Sequence, residues 1–290
     1  MDRTIQGLNL EDDFLFAKVM SDKEICKELL EKILDIEIEK VEMVEEQKTI
    51  DLLLESKGIR LDVYVRDENN TIYNVEMQRG KHKNLPKRLR YYQGSIDLDL
   101  ISKGEDYKKL AKSYIIFICT FDLFDKGRHK YTFQNVCLED NSIILNDESQ
   151  RIILNTKGIF KDLDEELLEF FAYVENSTDD TVNHSKGNLV KSIHKRVQEV
   201  KNDISMEVEF MTLLERDREK IEEGRDEERK LTIMKQYSKG FSIDYIAEIN
   251  EFDVEYVRDV VKNNTLKIKW LNEAEIVDTL KNLIVNDIQN

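Results

Sequence analysis

The sequence predicts an α/β fold, a sheet built around one β-hairpin and packed with helices, followed by a helical C-terminal extension. Three observations carry that prediction. Two β-rich runs, Ile59–Val65 and Thr71–Gln78, flank the turn-forming stretch Asp67-Glu68-Asn69-Asn70. Tyr114–Phe121 is a continuous apolar run of strand length. From Asp162 onward apolar residues recur at helical spacing almost throughout. With 290 residues the chain can hold one catalytic-sized domain and an appendage.

The elements follow in order. Phe16, Val19, Met20, Ile25, Leu29, Leu30, Ile33 and Leu34 fall mostly three or four apart, which predicts one or two amphipathic helices with Ser21 or Asp22 as the intervening N-cap. Ile36, Ile38, Val41, Met43 and Val44 predict a strand leading into a charged stretch that ends near Leu54. After the hairpin, a helix runs from about Asn84 to Ser102 and is closed by Gly104. The Tyr114–Phe121 run fits a strand buried on both faces, at the centre of the sheet. Tyr131–Leu138, Ser142–Leu145 and Arg151–Leu154 predict short further strands.

Helices are then predicted over Leu163–Val174, Leu189–Val200 and a long charged run from about Ser205 to Tyr237. In that run the charges alternate in sign, as in a solvated helix laced with i,i+4 ion pairs, and Gly224 is its weak point. Phe241–Ala247 and Asp253–Val257 predict two short helices capped by Ser242 and Asp253, a helix-turn-helix-like tail. The expected division is a core over 1–160, a helical extension over 161–237 and a small helical tail over 238–290.

Composition narrows the class. Hydrophobic residues make up 40% and charged residues 36%, and no stretch approaches the ~18 apolar residues of a membrane helix. The N-terminus lacks the pattern of a secretory signal, so the expected compartment is the cytoplasm. Cys26, Cys119 and Cys137 are odd in number, far apart and in apolar surroundings, which predicts reduced thiols. A formal charge of -16 argues against general phosphate binding, so any nucleic-acid surface must be a local basic strip. No G-x-S-x-G elbow, P-loop or G-x-G-x-x-G occurs, and His82, His129, His184 and His194 have no partnered nucleophile in sequence.

The chemistry is predicted on the hairpin. In a strand, residues an even number apart share a face, so Glu76 and Gln78 project together, as do Asp62 and Tyr64. A three-residue loop Glu68-Asn69-Asn70 pairs Asp67 with Thr71 and, counting back, brings Asp62 opposite Glu76. Two carboxylates side by side on an apolar hairpin repel unless a cation lies between them. Together with a backbone carbonyl, that of Met77, and waters, they form a hard-oxygen set suited to Mg²⁺ or Mn²⁺. Such an ion acidifies a water and neutralises charge on a scissile phosphate. Gln78 would hold water or a phosphate oxygen by hydrogen bonds and cannot serve as a base. The competing reading is a surface hairpin whose polar side faces water.

Leu61-Asp62-Val63, the turn, and Tyr73-Asn74-Val75-Glu76-Met77-Gln78 resemble the signature of the PD-(D/E)XK nuclease family transposases, also called the Rpn family of recombination-promoting nucleases. Arg88-Leu89-Arg90-Tyr91-Tyr92, Asp13-Phe14-Leu15-Phe16-Ala17-Lys18 and Phe210-Met211-Thr212-Leu213-Leu214-Glu215-Arg216 fit the same pattern, over roughly residues 10 to 260. The resemblance implies a restriction-endonuclease-like PD-(D/E)XK core, a mixed central sheet flanked by helices with the active site on a hairpin at one edge. It implies Mg²⁺- or Mn²⁺-dependent cleavage of DNA, associated with recombination or transposition. Asp62 and Glu76 match the two acids, Gln78 stands where most of the superfamily has Lys, and Leu61 replaces the Pro of the first element.

By the same likeness Asp13 is a further acidic ligand, with an N-cap as its alternative role. Arg88 and Tyr91 share a helical face, Arg88 to contact phosphate and Tyr91 to hydrogen-bond a metal ligand, or else both simply pack between helix and sheet. Arg79, Lys81, His82, Lys83, Lys87, Arg88 and Arg90 form the local basic strip expected to bind DNA, with Tyr91 beside them. Two other classes compete: a catalytically inert DNA-binding or regulatory module derived from a mobile element, and a partner-binding role for the helical tail. The latter coexists with cleavage, since cutting both strands favours a homodimer, expected here through the C-terminal helices.

Overall fold

The structure, a computed structural model, describes residues 3–50, 58–81, 84–160 and 163–264. The chain forms two compact units, Met1–Met211 and Thr212–Asn290.

The first unit opens with two helices, α1 (Asp13–Met20) and α2 (Lys23–Leu34). Asp12 caps α1 by accepting the N–H groups of Phe14 and Leu15, and Asp22, not Ser21, caps α2 through Glu24 and Ile25. The six strands are β1 (Val41–Ile50), β2 (Ile59–Asp67), β3 (Ile72–Gln78), β4 (Ser113–Cys119), β5 (Lys130–Phe133) and β6 (Ser149–Asn155). They form one sheet in the order β1-β2-β3-β4-β6-β5. β3, β4 and β6 run parallel, and the other pairings are antiparallel. Helix α3 (Leu85–Leu100) makes the crossover that a parallel β3–β4 pair requires.

The turn between β2 and β3 sets the register. Asn70 takes the left-handed conformation, φ 60°, and its N–H donates to the Asp67 carbonyl at 3.2 Å. The Asp67 carboxylate accepts from the Asn69 and Thr71 N–H groups and from the Tyr73 hydroxyl at 2.7–2.9 Å, which fixes the loop. The ladder Val63↔Val75, Tyr64↔Asn74, Val65↔Tyr73 and Arg66↔Ile72 then places Asp62 opposite Glu76.

Both faces of the hairpin are covered. Tyr64, Ile72, Ile115, Phe117, Cys119 and Ile153 pack with Leu85, Leu89, Tyr92 and Ile96 of α3. Val63, Val65, Val75, Ile116 and Ile118 are buried on the opposite face, where α1 packs on β1, β2 and β3. Asn74 is 0% exposed and Glu76 3%, so the polar side chains of β3 are largely buried, and away from its turn the hairpin meets solvent chiefly around Arg60, Asp62 and Gln78. β4, the apolar run, is buried along its whole length. Helices α4 (Glu165–Glu175), α5 (Asp179–His184) and α6 (Leu189–Asn202) complete this unit, with α6 packing on α1, α2 and α4.

Three expectations change. The hairpin is not at the margin of the sheet, because β1 pairs with β2 outside it. β5 ends at Phe133, and Ser142–Leu145 contributes only the Val136↔Ile144 bridge, since β5 is the edge and no described strand lies beyond it. The short helix α5, capped by Thr178, stands between the two predicted helices, in a polar stretch without helical periodicity.

Helix α7 (Ile204–Tyr237) begins in the first unit and continues into the second. There Ile233 packs with Ile246 and Ala247 of α8 (Ile243–Asn250) and with Val257, Val260 and Val261 of the helical residues 254–264. Ser242 caps α8, and Glu251, left-handed at φ 56°, ends it before the next helical segment; of the expected tail over 238–290, residues 265–290 lie outside the described residues. Among the described residues no helix is long and apolar enough to cross a membrane.

Candidate active site

The site forms where the strands of the hairpin part. Gln47 of β1 is left-handed at φ 51°, and the β1–β2 pairing passes from Glu46↔Val63 to Lys48↔Leu61 without a Gln47–Asp62 pair. The β2–β3 ladder stops at Val63↔Val75. Asp62 therefore lies where both neighbouring ladders lapse, and side chains take over their hydrogen bonds. The Asp62 N–H donates to Glu76 Oε1 at 3.0 Å, and the Met77 N–H donates to Asp62 Oδ2 at 2.9 Å. Each acid thus anchors on the backbone of the opposite strand, which holds both close together.

The Met77 carbonyl belongs to the same gap. In the parallel ladder the even-numbered residues of β3 address β4, as Ile72 N–H donates to the Lys112 carbonyl and Gln78 carbonyl accepts from the Thr120 N–H. Backbone groups of alternate residues point to opposite neighbours. Odd-numbered Met77 therefore directs its carbonyl towards the β2 side, beyond the last paired residues of that ladder.

Burial dominates the electrostatics. It pushes the Asp62 carboxyl up to about 7, against the Met77 N–H, which lowers it, and with the Asp13 charge raising it further. Burial also holds Glu76 well above the ordinary carboxylate range, and the neighbouring Asp62 charge adds to this. Arg60 and Arg88 oppose the rise at Asp62, and Arg88 opposes it at Glu76.

A cleft of about 740 Å³ opens over these acids, lined by Asp13, Arg60, Asp62, Glu76, Met77 and Gln78 together with Lys87, Arg88, Arg90, Tyr91 and Tyr92 of α3. Asp12, 2% exposed, is the N-cap of α1, while Asp13, whose carboxylate shares the Phe14 N–H at 3.1 Å, lines the cleft from the first turn of the helix. Arg88 donates to Gln78 Oε1 at 2.6 Å and to the Tyr92 hydroxyl at 3.0 Å. Tyr91 is 42% exposed on the cleft wall.

The basic strip divides. Lys87, Arg88 and Arg90 reach the cleft. Arg79 instead lies 3.6 Å from the buried carboxylate of Asp12, which Arg3 also pairs, and Lys81 pairs with Asp125 at 2.8 Å. Lys83 and His82 lie outside the described residues. Two cleft residues escaped the sequence reading. Arg60 shares a strand face with Asp62, two residues on, so parity alone pointed to it; Tyr92 is buried, and the Arg-Tyr-Tyr run does not tell which tyrosine meets Arg88.

The donor set fits a hard divalent cation. Asp62 is half-buried and Glu76 buried, each anchored on the other's strand, and a carbonyl faces the same opening, so a cation there would offset the burial and the mutual repulsion that raise both carboxyls. Among the described residues no cluster of three His, Cys, Asp or Glu side chains is assembled for a metal, which leaves carbonyl and water oxygens to complete the coordination.

A sequence profile of the family described as PD-(D/E)XK nuclease family transposase matches residues 11–238. Comparison with curated proteins and with solved structures finds no match.

Proposed function

The chain belongs to the PD-(D/E)XK nuclease family transposases, and on that premise we propose that it is a metal-dependent DNA endonuclease that hydrolyses phosphodiester bonds in recombination or transposition. The single observation that supports this most is the reciprocal anchoring of Asp62 and Glu76 across the parted hairpin, beneath a cleft with cationic walls.

In this reading Asp62, Glu76 and the Met77 carbonyl would hold Mg²⁺ or Mn²⁺, with Asp13 acting through water. The cation supplies charge neutralisation at the phosphate and acidification of the attacking water. The protein's own residues do the rest. Lys87, Arg88 and Arg90 raise the positive potential of the wall along which the DNA backbone lies, and Tyr91 offers a hydroxyl there. Arg79 and Lys81, already paired with Asp12 and Asp125, contribute to DNA binding at longer range, as Lys83 does by its position in sequence. Gln78 directs the phosphate or the water by hydrogen bonding.

The test is cleavage of supercoiled plasmid in Mg²⁺ or Mn²⁺ by the full chain, beside Asp62→Ala and Glu76→Ala. Cleavage lost in both variants supports the reading. Cleavage unchanged in both removes it, and no cleavage by any chain favours the inert DNA-binding module. Self-association is proposed through α7, where Ile221 is 56% exposed and Leu231 71%. An Ile221→Glu/Leu231→Glu variant that sediments like the wild type would end that part.

A further inference from the structure

Gln78 stands where a lysine would bring a positive charge to the cleft, and the structure shows what approaches it. Arg88, from the first turns of α3, directs Nη1 at the Gln78 amide from 2.6 Å. A guanidinium has donors only, so the amide atom that faces it must be the oxygen. The other end of the amide, Nε2, is thereby turned away from Arg88, 3.4 Å from the Gly80 carbonyl, in a side chain that lines the cleft. With Oε1 engaged by Arg88 and one N–H of Nε2 on the Gly80 carbonyl, Gln78 has its second N–H to offer whatever enters.

Arg88 is itself held in place. Its second terminal nitrogen donates to the Tyr92 hydroxyl at 3.0 Å, one helical turn on. Its guanidinium carbon lies 5.4 Å from the Tyr92 ring centre and 5.5 Å from that of Phe117. Cation–π contact with two rings and a fork of two donors make a geometry that lysine cannot copy. A cation on the carbonyl side of an amide also polarises its N–H groups, so they donate more strongly.

We propose that Arg88 is a positioning residue: it locks Gln78 as a hydrogen-bond donor to a non-bridging phosphate oxygen and carries, from the helix, the charge that the strand lacks at position 78. This rests on the nuclease reading of the cleft. It adds that the two residues act as one unit, and that unit takes the phosphate of the substrate.

The unit is tested on the full chain with a fluorescent DNA duplex in Ca²⁺, by anisotropy, for wild type, Gln78→Ala, Arg88→Ala and the double variant, with thermal unfolding of each. Because Gln78 depends on Arg88, Gln78→Ala loses roughly tenfold in affinity, Arg88→Ala loses at least as much, and the double variant loses no more than Arg88→Ala. Arg88→Lys, which keeps the charge and the fold but cannot bridge Gln78 and Tyr92, falls between wild type and Arg88→Ala. In cleavage, Gln78→Lys harms the wild type, where it sets two cations together, and restores activity in Arg88→Ala. Additive losses of about a hundredfold, with a salt dependence shallower by about one unit only in chains lacking Arg88, would overturn the proposal in favour of a direct arginine–phosphate contact. Unchanged affinity in every variant, while Asp62→Ala abolishes cleavage, would overturn the proposal and leave the nuclease reading standing. A wild type that neither binds duplex nor cleaves it removes both.

Discussion

Replacing Asp62 by Asn should make the metal-free protein more stable at neutral and alkaline pH, and the size of the gain follows from the buried acid. The asparagine oxygen still accepts the Met77 N–H, so the anchor across the hairpin survives. What disappears is a charge in a setting that holds the carboxyl at about 7 rather than the ordinary 3.8, chiefly through burial. In the unfolded chain the group ionises near its ordinary value. Between about pH 4 and 7 the unfolded state therefore binds fewer protons than the folded one, and stability falls as pH rises. Each pH step in that window is worth about 1.4 kcal/mol, so the wild type carries a penalty on the order of 4 kcal/mol at pH 8 that Asp62→Asn lacks. Urea unfolding in EDTA, followed by circular dichroism, should show the variant more stable by about 2 to 4 kcal/mol at pH 8, with the gap closing towards pH 4. Mg²⁺ should then stabilise the wild type and not the variant. A wild type as stable as Asp62→Asn at pH 8 in EDTA would refute the argument that these acids are buried at an electrostatic disadvantage.

Other parts of the fold give independent checks. Asn70→Gly should leave stability within about 0.5 kcal/mol of wild type, because glycine accepts φ 60° without strain, whereas Asn70→Val should lose about 1 to 2 kcal/mol; equal values for both in chemical denaturation would contradict the turn. Lys18, with its side chain 10% exposed, joins Glu46 at 2.6 Å and Glu209 at 3.0 Å, so Lys18→Met should lower unfolding free energy by about 2 kcal/mol, and no change would show the bridge to be inert. Cys26 and Cys119 are buried and both thiols are pushed up to about 12, while Cys137 is half-buried, so a thiol reagent should find a single fast site per native chain.

The sequence was most legible where local chemistry and periodicity agreed. Asn70 supplied the left-handed turn, and the count from Asp67 and Thr71 led directly to the Asp62–Glu76 pairing. The uninterrupted run of β4 announced a strand covered on both faces. Less could be read where the outcome depends on distant partners. Nothing in Gln47 itself signals the left-handed conformation at which the β1–β2 pairing skips Asp62. Arg79 and Lys81 looked like neighbours of Arg88 along the chain, yet Asp12 and Asp125, far off in sequence, draw them into ion pairs. The Arg88–Gln78 bond spans ten residues, part of it across the turn at Gly80, so neither strand parity nor helix spacing predicts it. Asp12 and Asp13 are adjacent and chemically alike, and only the packing of α1 decides that one caps the helix while the other lines the cleft.

Calorimetric titration of Mn²⁺ into the full chain at pH 6 asks whether the two hairpin acids form a divalent-cation site. One site is expected that releases protons on binding, seen as a dependence of the enthalpy on buffer, because carboxyls held above their ordinary range must ionise to take the ion. That site should vanish in both Asp62→Ala and Glu76→Ala. Binding of equal affinity and equal proton release in all three chains would rule out a cation site on these acids.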